Sequence, residues 1–248
     1  RYAHVAAFLN DAGFHVYAND HRGHGHTAES PDSYGDFGEC GWNAVVADAL
    51  GLTHIIKQRE RGLPVILLGH SMGSFVAQQY ILDYSAELAG CVLSGSAAPD
   101  LIAHLVEEVG AGGLEALNTP FEPARTPFDW LSRDEAAVDA YVADAGCGFN
   151  MSERARESAK NAWERASEIK ELKRIRNDLP IYILAGDADP VNQNLEALKP
   201  VAERYHVAGL SDVTERYYVG GRHEMFNEIN RDEVLRDLLG WLQRIVPT

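Results

Sequence analysis

One stretch limits what this chain can become. Val65-Ile-Leu-Leu-Gly-His-Ser71-Met-Gly-Ser-Phe-Val-Ala77 runs from an apolar segment through Gly-x-Ser-x-Gly into small and apolar residues with helical spacing. It reads as a strand, a tight turn and a helix, the context in which a serine is pushed up into the open at a nucleophile elbow. Gly69 and Gly73 are expected where a Cβ cannot fit, with His70 and Met72 flanking the serine in the turn. Ser71 then stands at a helix N-terminus, whose unpaired N–H groups and dipole favour an anion, and the N–H of Met72 is the natural oxyanion donor. Glycine and serine are common enough that a bare match arises by chance in about one chain in ten of this length, so the flanking strand and helix patterns are what give it weight.

A working serine needs a base and an acid downstream, and the rest of the chain is read with that in mind. The order begins with a helix whose apolar face is Tyr2, Val5, Ala6, Phe8 and Leu9, followed by a strand over residues 14–19. The loop Asp20-His-Arg-Gly-His-Gly-His26 holds three histidines. A zinc site needs ligands held in fixed geometry by further contacts, which a loop dominated by glycines does not promise. Asp20 is therefore expected to pair with Arg22 and the histidines to be loop polar groups, with no metal. A helix from residue 42 or 43 to about Arg59 leads to the elbow strand, and Gly90-Cys-Val-Leu-Ser94 is another short apolar strand. Strands alternating with helices predict a parallel sheet of the α/β class.

From about residue 100 to 177 no strand pattern appears. Leu101, Ile102, Leu105, Val106 and Val109 form one helical face. Residues 118–128 carry three prolines and cannot be a helix interior. Ser132-Arg-Asp-Glu135 reads as a capping box opening a helix through Tyr141, and residues 152–175 as one long charged helix or two. Such an excursion between strands is expected to cap the carboxyl ends of the strands, where parallel sheets bind ligands. The division is then 1–99 and 178–248 for the two parts of the core and 100–177 for a helical cap.

The sheet resumes at Pro180-Ile-Tyr-Ile-Leu-Ala185 and ends in Gly186-Asp-Ala-Asp189-Pro190-Val. A helix over 196–205, a strand over 213–219, the loop Gly220-Gly-Arg-His223 and a closing helix capped by Asn230 and Glu233 complete the order. Ser71, an aspartate after a later strand and a histidine after the last strand stand in the order of a hydrolase triad. Histidine alone has an ordinary pKa near operating pH, so His223 is the candidate base. For the acid, Asp187 and Asp189 share one turn; Pro190 and Val191 favour Asp189.

Arg1-Tyr-Ala-His-Val-Ala, Asp20-His-Arg-Gly-His-Gly, Gly69-His-Ser-Met-Gly73, Arg125-Thr-Pro-Phe-Asp-Trp-Leu-Ser132, Gly186-Asp-Ala-Asp-Pro-Val191 and Arg222-His-Glu-Met-Phe-Asn-Glu228 together resemble the monoglyceride-lipase and lysophospholipase branch of the serine α/β-hydrolases, over essentially the full chain. The resemblance implies an α/β-hydrolase fold with Ser71 as nucleophile, Asp189 as acid and His223 as base, and an acyl-enzyme mechanism without metal or organic cofactor. It implies an ester hydrolase for monoacylglycerol or lysophospholipid. The competing readings are a non-catalytic protein of the same fold that binds a small molecule or a partner, or a truncated, inactive hydrolase; amidases and acyltransferases share the acyl-enzyme. Asp144-Ala-Gly-Cys-Gly-Phe149 departs from the Asp-Pro-Leu-Cys-Gly-Phe common in relatives and is expected to alter the acyl pocket. Relatives also carry, before the helix that begins here at Arg1, a His-Gly loop that supplies a second oxyanion N–H, and a strand lying between that of residues 14–19 and the elbow strand. The expectation is that both are missing from these 248 residues.

The formal charge of −15 is spread along the chain, which disfavours nucleic acid and strongly anionic membranes as partners. Three widely spaced cysteines, Cys40, Cys91 and Cys147, fit a reducing compartment, the cytoplasm, and no run approaches the ~20 apolar residues of a membrane-spanning helix.

Overall fold

The computed structural model describes residues 1–246. Its elements run α1 (Ala3–Asp11), α2 (Gly41–Arg59), β1 (Ile66–His70), α3 (Met72–Tyr84), β2 (Gly90–Ser94), α4 (Ala103–Gly112), α5 (Glu135–Val142), α6 (Glu153–Ser167), α7 (Ile169–Leu172), β3 (Ile181–Gly186), α8 (Lys199–Ala208), β4 (Val213–Tyr218) and α9 (Arg231–Ile245). The four strands form one sheet in the order β1-β2-β3-β4, every pair parallel, with Gly69 beside Leu93 and Leu93 beside Ile183. Alternation along the inner strands sends side chains to both faces, so each face must be covered by helices. Cys91, Leu93, Ile181, Ile183 and Ala185 join a core with Trp42, Val45, Phe75, Tyr80 and Ile81 of α2 and α3. Val92, Tyr182, Leu184 and Tyr218 face Val5 and Leu9 of α1 and Leu238 and Trp241 of α9.

The strand-free segment between β2 and β3 is only partly detached from this core. Ala155, Ala159, Ala162 and Trp163 of α6 are buried against α2 and α3, and Trp163 meets Trp42 edge to face at 5.7 Å. Leu117, Trp130, Leu131 and Val191 form a smaller cluster that also draws on Leu105, Val109 and Leu114. Among the described residues, no helix is long and apolar enough to cross a membrane.

Several local readings change. Residues 14–19 form no strand. A strand exists only through a ladder, and these residues make none; His15 and Tyr17 instead hold Glu60 at the end of α2, at 3.0 and 2.6 Å. Among the described residues β1 has no strand on its outer side, and Leu68 is 38% exposed there. The Ser132 capping box does not form. Ser132 Oγ donates to Asn227 O at 2.9 Å, so Asp134 caps α5, accepting from the N–H groups of Ala136 and Ala137. Asn230 likewise makes no side-chain cap; its amide donates to Glu233 Oε2 at 3.1 Å. Residues 114–121 wind into 3-10 turns with Pro120 inside. The helix expected from 196 starts at Lys199, after a turn in which Gln193, Asn194 and Leu195 have positive φ. Asp20 and Arg22 do not pair. Gly25, at φ +49°, turns the loop so that Asp20 Oδ2 accepts from the His26 N–H at 2.9 Å, while Arg22 forks onto Asp48 of α2 at 2.5 and 3.0 Å.

Candidate active site

Ser71 sits between the end of β1 and the start of α3 at φ 52°, ψ −122°. A non-glycine residue in that region is strained, and the surroundings must hold it there. Its N–H donates to Ser94 O on β2 at 2.9 Å, and its carbonyl accepts from Ser74 N and Oγ at 2.8 and 2.6 Å. The two elbow glycines differ. A Cβ on Gly69 would lie 2.2 Å from the carbonyl oxygen of Gly73, so the turn closes only over glycine there. A Cβ on Gly73 would meet only His21 Nε2, at 3.8 Å. The expectation that neither position admits a Cβ is thus corrected for Gly73: its backbone makes the close approach, not its missing side chain. Met72 is the first residue of α3, and the leading N–H groups of a helix have no carbonyl within the helix to meet.

The loop after β4 brings His223 over the serine. Nε2 lies 2.9 Å from Ser71 Oγ, and Nδ1 lies 2.9 Å from Oδ2 of Asp189, which is fully buried in the turn after β3. With the carboxylate at Nδ1, that nitrogen carries the proton and Nε2 is left to accept from the serine hydroxyl. Burial pulls the His223 pKa down, but the charge and hydrogen bond of Asp189, with the charge of Glu224, outweigh it and set the imidazole above its ordinary 6.5. Asp187 faces elsewhere and accepts from Gly220 N at 2.6 Å, tying the two loops together. Asp189 also accepts from Val191 N at 2.9 Å and lies 3.5 Å from the Asn192 amide, itself fixed by Gly186 O at 3.1 Å.

Two ring contacts on the imidazole, and the residues behind them, were not read from sequence. Trp130 packs on the His223 ring at 5.0 Å between centroids, and its carbonyl accepts from His223 N at 3.4 Å. Asn118 holds that residue, its Oδ1 accepting from the Trp130 backbone N–H at 2.8 Å. His70 lies 4.9 Å from His223 between ring centroids; burial, then the charges of His223 and Arg1, hold its pKa far below the usual value, so it stays neutral. Glu224 is buried and clasped by Arg1, Tyr2 and Asn227. Trp130 stands inside a motif that the sequence displays, but its contact with His223 spans 93 residues and no local spacing reveals it.

A cavity of about 220 Å³ opens beside Ser71, lined largely by apolar groups that include Met72, Phe75, Ile102, Leu105, Val106 and Trp130. Leu101 is not among them; it is 37% exposed, because the face of α4 that meets the cavity begins at Ile102. Phe149, at the end of the departing segment 144–149, does line it. His24 does too, its ring 5.0 Å from that of Phe149.

A strained serine after a parallel strand, a histidine after the last strand and helices on both faces of the sheet define a serine α/β-hydrolase. The chain belongs to the serine aminopeptidase S33 family, whose profile matches residues 1–230. It is 31% identical to a monoacylglycerol lipase of Mycolicibacterium smegmatis, over 98% of this chain and 82% of that protein. Among solved structures, a highly thermostable carboxyl esterase from Bacillus coagulans, in complex with glycerol, superposes with a TM-score of 0.83 at 29% identity, covering 99% of this chain and 85% of that one. The monoacylglycerol lipase of Paleococcus ferrophilus superposes with a TM-score of 0.71 at 25% identity, covering 99% and 89%.

Proposed function

We propose that this chain hydrolyses carboxylic esters of single acyl chains, monoacylglycerol or lysophospholipid in type, through an acyl-enzyme. Ser71 attacks the ester carbonyl while His223 takes its proton and returns it to the leaving alcohol; Asp189 holds the imidazole in the required tautomer and stabilises the imidazolium. The Met72 N–H receives the oxyanion. Water then attacks the acyl-enzyme with His223 again as base. Residues 100–177 act as the cap, with α4 and the turns over 114–121 as the acyl wall. The single observation that carries this reading is a serine hydroxyl 2.9 Å from a carboxylate-backed histidine at the edge of an apolar cavity. The kinship with lipases and a carboxyl esterase supports the ester class. Three free cysteines support the cytoplasm as its compartment.

The family's name raises a second reading, release of an N-terminal amino acid. Recognising a free α-ammonium calls for a carboxylate at the cavity, and no Asp or Glu lines it among the described residues, which favours the ester. Hydrolysis of a graded series of monoacylglycerols tests the proposal. The ratio kcat/KM is expected to climb with acyl length, each buried methylene adding up to about 0.8 kcal/mol. Activity confined to very short acyl groups would contradict the single-chain lipid assignment.

A further inference from the structure

Arg156 is the one Lys or Arg among the described residues that line the cavity, and no Asp or Glu stands there with it. Most other arginines of this acidic chain lie within ion-pair distance of a carboxylate, although among the described residues Arg59, Arg61, Arg222 and Arg236 do not. Arg165, Arg174, Arg204, Arg216 and Arg244 each lie within ion-pair distance of one. With 37 Asp and Glu against 22 Lys and Arg, partners are abundant. Arg156 nevertheless forms no ion pair among the described residues; its Nη1 donates to the carbonyl of Met151 at 2.6 Å. Gly110 of α4 lies against the guanidinium, where an added Cβ would come within 2.9 Å of Nε and 3.0 Å of Cζ. The position therefore needs glycine on α4 for the guanidinium to lie where it does, with one nitrogen pinned and the others left to donate.

A guanidinium half-buried among apolar groups keeps a strong field, since little water screens it, and its planar fork matches the oxygens of phosphate or carboxylate. We propose that Arg156 is an anion subsite of the cavity, so that the preferred ligands are single-chain amphiphiles bearing a phosphate or a carboxylate. Asn150 also lines the cavity and carries an amide donor. This rests on the ester-hydrolase reading and refines the ligands of that site: an ester with a phosphorylated headgroup, or the fatty acid that hydrolysis releases, is held more tightly than a neutral amphiphile. The two sources of such a group are a phosphorylated headgroup and a free fatty acid.

Trp130 and Trp163 line the same cavity, so tryptophan fluorescence reports binding without catalysis. In Ser71→Ala, dodecyl phosphate and dodecanoate are titrated against dodecanol. At least one anion is expected to bind about tenfold tighter than dodecanol, the size of one charge-assisted hydrogen bond network. Preference for dodecyl phosphate assigns the subsite to headgroups; preference for dodecanoate assigns it to fatty acid. Adding Arg156→Gln should abolish the preference, and Arg156→Lys should keep part of it. On the Ser71→Ala protein alone, raising salt should weaken the anions and leave dodecanol in place, so the proposal stays testable if Arg156→Gln does not fold. Equal affinity for anions and dodecanol, or a preference that survives Arg156→Gln, overturns it. Because no turnover is read, this failure is distinct from failure of the hydrolase reading, which an inert Ser71 in the wild type would show.

Discussion

The two sides of the site are built by different means. On one side, Ser71, Asp189 and His223 leave the carboxyl ends of β1, β3 and β4, whose ladders fix the backbone residue by residue. On the other, α4 and the turns over 114–121 meet the site through side chains: Ile102, Leu105, Val106, Val109 and Leu117 contribute packing area and few directed bonds. Hydrogen-bonded geometry fails abruptly when one partner is removed, whereas an apolar wall tolerates changes of shape at small cost. Chemistry is thus the stiff part of this molecule and acyl preference the adjustable part.

The largest effect that would break this comparison lies in the buried carboxylate. Asp189→Asn should lower kcat by about 10⁴-fold, as loss of the orienting carboxylate does in serine triads. Asp187→Asn should cost far less in kcat, because its partner is the Gly220 N–H and not the imidazole. Steady-state kinetics on one soluble ester distinguishes them, and reversed effects would move the acid by two residues.

Next come the two elbow glycines. Gly69→Ala puts a methyl 2.2 Å from a backbone oxygen, and should destabilise the fold by about 3 kcal/mol or prevent it. Gly73→Ala meets nothing closer than 3.8 Å and should be neutral or stabilising by up to about 1 kcal/mol, since alanine suits a helix better than glycine. Urea titrations read both. Equal destabilisation would show that the elbow is not tight on the Gly69 side alone.

The smallest effect belongs to the apolar wall. Leu105→Ala should reduce kcat/KM on a dodecanoyl ester by about three- to tenfold, the value of one to two buried methylenes, and change a butyryl ester by less than about twofold. An equal loss on both esters would mean that α4 supports the catalytic groups themselves.

What the sequence made legible follows the same divide. Gly-x-Ser-x-Gly after an apolar run, Asp-Ala-Asp-Pro after another and Gly-Gly-Arg-His after a third do follow strand ends in the structure, because each is a local consequence of a strand ending. Local spacing misled where a distant partner decided the matter. Ser132 matched a capping box but is taken by Asn227 O, 95 residues away, and residues 14–19 matched a strand without a neighbour to pair with. Gly73 matched the motif, yet its side of the turn is open. Asn118 carries no local signal and Trp130 shows only its motif, since the contacts of both arise from long-range packing of the segment between β2 and β3.

Covalent labelling by a fluorophosphonate across pH tests the central claim most directly, because it reads the serine's activation without a substrate. The base works only as neutral imidazole, and Asp189 and Glu224 hold His223 above its ordinary 6.5 despite burial. The labelling rate should therefore rise with pH through a midpoint above 6.5, reach its plateau once His223 is neutral, and place the adduct on Ser71. Ser71→Ala should abolish the adduct. Labelling that persists in Ser71→Ala, or a rate at Ser71 that does not respond to pH, would contradict the relay from Asp189 through His223 to Ser71.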